Sequence, residues 1–119
     1  MRVLVCGDRN WTDTTSIMNA LYLLKKKHKH LIVINGGARG ADTLGNECAR
    51  ELKLGTVQYL ADWNKYGKSA GPIRNQQMLK EGKPDLVLAF HPDLSKSKGT
   101  KHMVEIARKA GVEVIVFNE

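Results

Sequence analysis

LIVINGGARGAD, Leu31 through Asp42, runs a strand-length apolar segment straight into Gly36, Gly37 and Gly40. Each glycine adds backbone freedom that folding has to remove. A chain keeps them where the backbone must turn sharply or approach something closely. Immediately afterwards Ala41, Leu44, Cys48 and Leu52 recur with helical period and share one face. A strand, a glycine turn and a helix in direct succession make half of a βαβ unit. The glycines would let backbone N–H groups reach a ligand at the helix start, where the dipole favours an anion. A plain tight turn would use them as well. The spacing is not GxGxxG and no Lys-Ser/Thr pair closes the loop, so a dinucleotide fingerprint and a Walker ATPase both fit poorly.

Working outward from this segment, the same alternation recurs. Val3–Cys6, Leu31–Ile34, Thr56–Leu60, Leu86–Phe90 and Val112–Phe117 are apolar runs of strand length with several β-branched residues. Ile17, Ala20, Leu21 and Leu24 share a helical face, as do Met103, Ile106, Ala107 and Ala110. Pro72 suits the first turn of a shorter helix reaching about Glu81. No repeat, low-complexity tract or linker interrupts the 119 residues, so residues 1–119 read as one domain, long enough for a real core. Strands apolar on both faces and alternating with helices predict an α/β fold. Right-handed crossovers make it a Rossmann-like three-layer sandwich of about five parallel strands with helices on both faces, in the expected order 3-2-1-4-5.

Ligands of open parallel sheets bind beyond the carboxyl ends of the strands. The loops leaving those ends are Gly7-Asp8-Arg9-Asn10, Gly36-Gly37-Ala38-Arg39-Gly40, Ala61-Asp62-Trp63 onward, and His91 through Gly99-Thr100. Arg74 follows Gly71-Pro72-Ile73 in what reads as the first turn of a helix, where a cation is disfavoured. Such a charge calls for an anion, either a carboxylate of the chain or a phosphate. Trp63 and Tyr66 suit stacking on a base or capping the core edge. Ser97-Lys98-Gly99-Thr100 offers either a second anion cradle or an ordinary helix N-cap.

A net charge of +7 and a pI near 9.6 point to an anionic partner. The densest cluster, Lys25-Lys26-Lys27-His28-Lys29-His30, suits the negative end of a helix dipole or a nucleic-acid patch. No aromatic residue interleaves with it. Cys6 and Cys48 form no CxxC and read as buried free thiols. The four histidines lack metal-ligand spacing, so no metal site is expected. Nothing resembles a nucleophile elbow. The first residues read as a strand rather than a signal peptide, and no apolar run has membrane-spanning length. A cytoplasmic protein is expected.

Taken together, Cys6-Gly7-Asp8-Arg9, Gly36 to Asp42, Ala61-Asp62-Trp63 with Tyr66-Gly67, Ala70 to Asn75, Pro84 to Phe90 and Gly99-Thr100 resemble the SLOG superfamily, specifically its YspA, cpYpsA-related branch. The likeness runs in order along nearly the whole chain. It implies a Rossmann-like domain that binds a nucleotide or nucleotide-derived phosphorylated ligand, with a role as a sensor in bacterial or phage conflict systems. The implied ligand residues are Gly7, Arg9, Gly36, Gly37, Gly40, Asp42, Arg74, Asn75, Gly99 and Thr100; Asp8, Arg39, Trp63 and Tyr66, in the same loops, complete the candidate ligand-binding set. Mg²⁺ could accompany a phosphorylated ligand, and a second subunit could complete the site. Two departures stand out: Gly-Asp-Arg replaces the family's usual Gly-Ser-Arg, and Ser-Lys-Ser-Lys-Gly-Thr replaces a glycine-rich loop. Relatives that are phosphoribohydrolases carry a glutamate three residues after the Gly-Thr threonine, where this chain has Met103. Cleaving an N-glycosidic bond needs a carboxylate, which leaves Asp42 and Asp62 as the weak catalytic candidates. Binding is therefore preferred to hydrolysis, with a nucleic-acid binder as a third reading.

Overall fold

The computed structural model describes residues 1–118. Five strands, β1 (Arg2–Gly7), β2 (Ile32–Asn35), β3 (Gly55–Gln58), β4 (Leu86–Phe90) and β5 (Glu113–Phe117), form one sheet in the order β3-β2-β1-β4-β5. Every neighbouring pair is parallel. The helices are α1 (Thr14–Lys27), α2 (Ala41–Glu51), the short α3 (Trp63–Tyr66), α4 (Ala70–Gly82) and α5 (Gly99–Lys109). Order and architecture are those expected from the alternation of apolar runs.

Strand period explains the two cores. Val3 and Val5 point to one face with Val33, Leu86, Leu88 and Phe90, where α1 and α2 cover them with Ile17, Leu21, Ala41 and Cys48. Leu4 and Cys6 point to the other with Ile34, Val87 and Ala89, beneath Met78 of α4 and Met103, Val104 and Ala107 of α5. Both faces are dry only in the middle of the sheet. The edge strand β3 carries exposed Gly55, Thr56 and Gln58, and β5 exposes Glu113 and Ile115. The expectation of strands apolar on both faces therefore fails at the two edges, which have one neighbour each and meet solvent.

Local chemistry sets the boundaries. Asp13 caps α1 by accepting the Ser16 N–H at 3.2 Å. α4 begins at Ala70, so Pro72 lies in its first turn and Arg74 is the fifth residue, one turn deeper than expected. β2 runs one residue later than the apolar run, through Asn35, and β3 ends at Gln58 instead of Leu60. The ladder still continues past β3, because Tyr59 N–H donates to the Asn35 carbonyl at 2.9 Å. Among the described residues no helix is long and apolar enough to cross a membrane.

Candidate functional site

The carboxyl ends of the strands lie side by side, and chain order reverses between β1 and β4. Gly7 closes β1 there, and a Cβ on it would lie 2.2 Å from the Phe90 carbonyl oxygen. The Asp8 N–H donates to that same oxygen at 2.8 Å. The Asp8 carboxylate accepts the Asn10 N–H at 3.0 Å, while its carbonyl accepts from Trp11 and Ala41 at 3.0 and 3.1 Å. The Asp8 carboxylate thus folds its own loop, and the backbone carbonyl of the same residue holds the start of α2.

The second loop packs directly on the first. Gly40 has φ +76°, and a Cβ there would meet the Asp8 carbonyl oxygen at 2.3 Å and the Arg9 carbonyl carbon at 2.4 Å. Only glycine combines that conformation with that approach. Asp42, buried in the first turn of α2, accepts the Gly36 N–H at 2.8 Å and the Ala38 N–H at 3.5 Å through Oδ2. Asn35 Oδ1 accepts the Gly37 N–H at 2.8 Å. Three N–H groups of this loop, those of Gly36, Gly37 and Ala38, are therefore engaged by the chain's own side chains, which brace the turn.

Arg74 reaches this turn from the opposite layer. Its Nη1 donates to the Gly36 carbonyl at 2.7 Å and its Nε to Asn75 Oδ1 at 3.1 Å. A Cβ on Gly36 would lie 2.5 Å from Nη1, so the bare glycine makes room for the guanidinium. Both hydrogen-bond partners of Arg74 are uncharged. Asn75 is buried and ties α4 to α5, donating to the Gly99 carbonyl at 3.2 Å and meeting His102 Nδ1 at 3.1 Å.

Burial pushes Asp42 up to about 6; the Gly36 N–H and the Arg74 charge pull the other way without prevailing. Desolvation of this buried carboxylate thus outweighs the partial positive charge of the helix start, which by itself would favour the ionised form. Burial likewise pushes the Cys6 thiol up, with the Asp42 charge adding and Arg74 opposing. Cys6 and Cys48 are both buried free thiols.

The remaining residues divide into groups. Arg9 and Arg39 are exposed and, with Asn10, Thr43 and Gly40, line an open groove of about 480 Å³ on the α1–α2 side. Arg74 does not line that groove, so Arg9 and Arg74 do not meet in one pocket. Trp11, unremarked in the sequence, forms the groove floor; its ring is buried 5.8 Å from that of Phe90. Trp63 is 60% exposed and Tyr66 40% exposed, so neither caps the core. Asp62 is exposed and caps α3, accepting the Lys65 N–H at 3.0 Å. Met103 is buried in the core, and Glu105 is exposed on α5.

At the last loop the N-cap position of α5 is Lys98, not Ser97 or Thr100, and Ser97, one residue before it, supplies the oxygen that meets the helix start. Ser97 Oγ accepts the N–H groups of Thr100 and Lys101 at 3.0 and 3.3 Å. Thr100 is buried, whereas a Cβ on Gly99 would meet nothing within 4 Å. Among the described residues no three His, Cys, Asp or Glu side chains gather into a metal site.

A parallel sheet covered on both faces, with its glycine-bearing loops at the carboxyl ends of the strands, is a Rossmann-like domain. The chain belongs to the YspA, cpYpsA-related SLOG family, whose model matches residues 1–66, from β1 through α3. It is also 39% identical over 124 aligned residues to the Gene 61 protein of Mycobacterium phage D29, covering 99% of this chain and 97% of that protein.

Proposed function

We propose that the chain binds a phosphorylated, nucleotide-derived ligand beyond the carboxyl ends of β1, β2 and β4. Family membership supports a nucleotide-related ligand. The observation that carries the reading is Arg74: half-buried, wedged over Gly36, and hydrogen-bonded only to neutral oxygens. A guanidinium keeps its charge at all relevant pH and has five N–H donors, so donors remain for a phosphate. Trp63, whose ring edge reaches the first turn of α4 at Gly71, supplies an exposed aromatic face for a base. Arg9 and Arg39, in their own groove, would meet a second anionic group of an extended ligand. A Mg²⁺ ion arriving with phosphate would draw its ligands mainly from the phosphate and water. A relative of this chain is encoded by a phage, and sensing in phage–host conflict is the context proposed for the binding.

Cleavage of an N-glycosidic bond has less support. Asp62 is occupied as a helix cap, and Asp42 is occupied in bracing the glycine turn. Overnight reactions with common nucleoside monophosphates should release no free base above background; release that disappears in Asp42→Asn would replace binding with hydrolysis.

The binding test begins with mass spectrometry of small molecules retained by the native protein. Calorimetry follows with the compound found. Arg74→Ala should weaken its binding by about 1.5–3 kcal/mol and leave the fold intact. Unchanged affinity would remove Arg74 from the site, and absence of any retained or added nucleotide ligand would overturn the reading.

A further inference from the structure

A parallel α/β sheet sends every long helix back to the same edge, so the C-terminal ends of α1, α2, α4 and α5 lie together at the amino ends of the strands. Each carries cations in its last turn: Lys25–Lys27, Arg50, Lys80, and Arg108 with Lys109. One cation per helix end is accounted for by the dipole, which acts only over the last turn. At α1 and α2 the charge extends further. Lys29 and His30 follow α1, and Lys53 follows α2. These three, with Lys25, line a groove of about 350 Å³ whose other walls are Leu31, Ile32, Leu54 and Gly55. No acidic residue lines it. Lys25 Nζ is held by the Leu52 carbonyl at 2.7 Å, which ties α1 to the turn carrying Lys53.

Lys53 has φ +59°, a conformation that glycine adopts without strain, and Lys83, after α4, shares it with φ +48°. Of the two, Lys53 places its cation in the lining of the groove.

We propose that this edge docks the phosphate backbone of duplex nucleic acid, without reading sequence. Clustered cations from two separate turns suit a partner with regularly repeated negative charge. The groove has no aromatic lining, so it offers no stacking platform for the bases of a single strand. The face lies at the opposite edge of the sheet from Arg74, so both partners can be held at once.

The test is fluorescence anisotropy of the native protein with a labelled duplex of about 20 base pairs, across potassium chloride from about 50 to 300 mM. Two unrelated sequences should bind alike, with log affinity falling linearly against log salt. Lys53→Gly relieves the backbone, so it should hold or raise Tm. Yet it should weaken duplex binding roughly five- to tenfold near 0.1 M salt and make the slope shallower by about 0.9. Lys29→Gln should do the same to binding. Unaltered affinity and slope in both lysine variants would overturn the proposal. Equal binding to polyglutamate, to a single strand, or to vesicles containing phosphatidylserine would overturn the choice of duplex.

Discussion

Two glycine-bearing loops at the same edge of the sheet look alike in sequence and differ in what they demand. Gly36-Gly37-Ala38-Arg39-Gly40 is held by Asp42, Asn35 and Arg74, and Gly40 sits against the backbone of the first loop. Ser97-Lys98-Gly99-Thr100 is held by one hydroxyl, and Gly99 faces open space. One loop needs its glycines for shape. The other uses a serine hydroxyl and would tolerate a side chain.

The comparison breaks first at Gly40. Gly40→Ala forces a Cβ into backbone atoms at positive φ, so it should cost more than about 3 kcal/mol, read by urea denaturation. A loss below about 1 kcal/mol would mean the two loops are not so closely packed.

Asp42 sharpens it next. A carboxyl raised from 3.8 to about 6 binds its proton more tightly in the folded state. Its ionisation therefore opposes folding, and stability falls as pH rises from about 4 through 6, by about 3 kcal/mol in full. Asn keeps an acceptor oxygen for the Gly36 N–H and does not ionise. The stability of Asp42→Asn relative to wild type should accordingly climb across that window and level off above it. A difference that stays flat from pH 4 to 7 would place the carboxylate outside the buried position described.

Gly36→Ala tests the same loop through ligand binding. The obstructing atoms belong to the far end of the flexible Arg74 side chain, which can swing away. The fold should survive, while affinity for the retained ligand drops about as far as in Arg74→Ala, on the order of 1.5–3 kcal/mol. Affinity equal to wild type would separate the glycine from the arginine.

The last loop should respond least. Ser97→Ala removes the oxygen that meets the start of α5 and should cost about 1 kcal/mol. Gly99→Ala should be neutral or gain up to about 1 kcal/mol, since the position is open and its backbone conformation suits alanine. Thermal melts of the two variants, moving in opposite directions, would complete the contrast; a marked loss in Gly99→Ala would erase it.

Much of the fold was legible because its signals are local. Apolar strands such as Val3–Cys6 and Leu86–Phe90, separated by helical faces, dictate a parallel sheet whatever the details of packing. The edge strands were less legible, since exposure of Thr56 and Gln58 depends on having no neighbour beyond β3. At the candidate site, the sequence brought the glycine loops and Arg74 into view but not the groups they bond to. That Asp42 and Asn35 occupy the N–H groups of the glycine turn, and that Arg9 and Arg74 lie in different places, follows from contacts across α2, β2 and α4. Trp11 gave no signal because only its packing against Phe90 makes it the floor of a groove.

By itself, then, the order of apolar periods and glycines determined a Rossmann-like sheet with its glycine-bearing loops at the carboxyl ends of the strands. The tertiary structure alone decided which glycine is indispensable, which carboxylate is buried and where each guanidinium points. Those properties arise from the approach of segments distant in sequence, where a few tenths of an ångström and the loss of water set the energy.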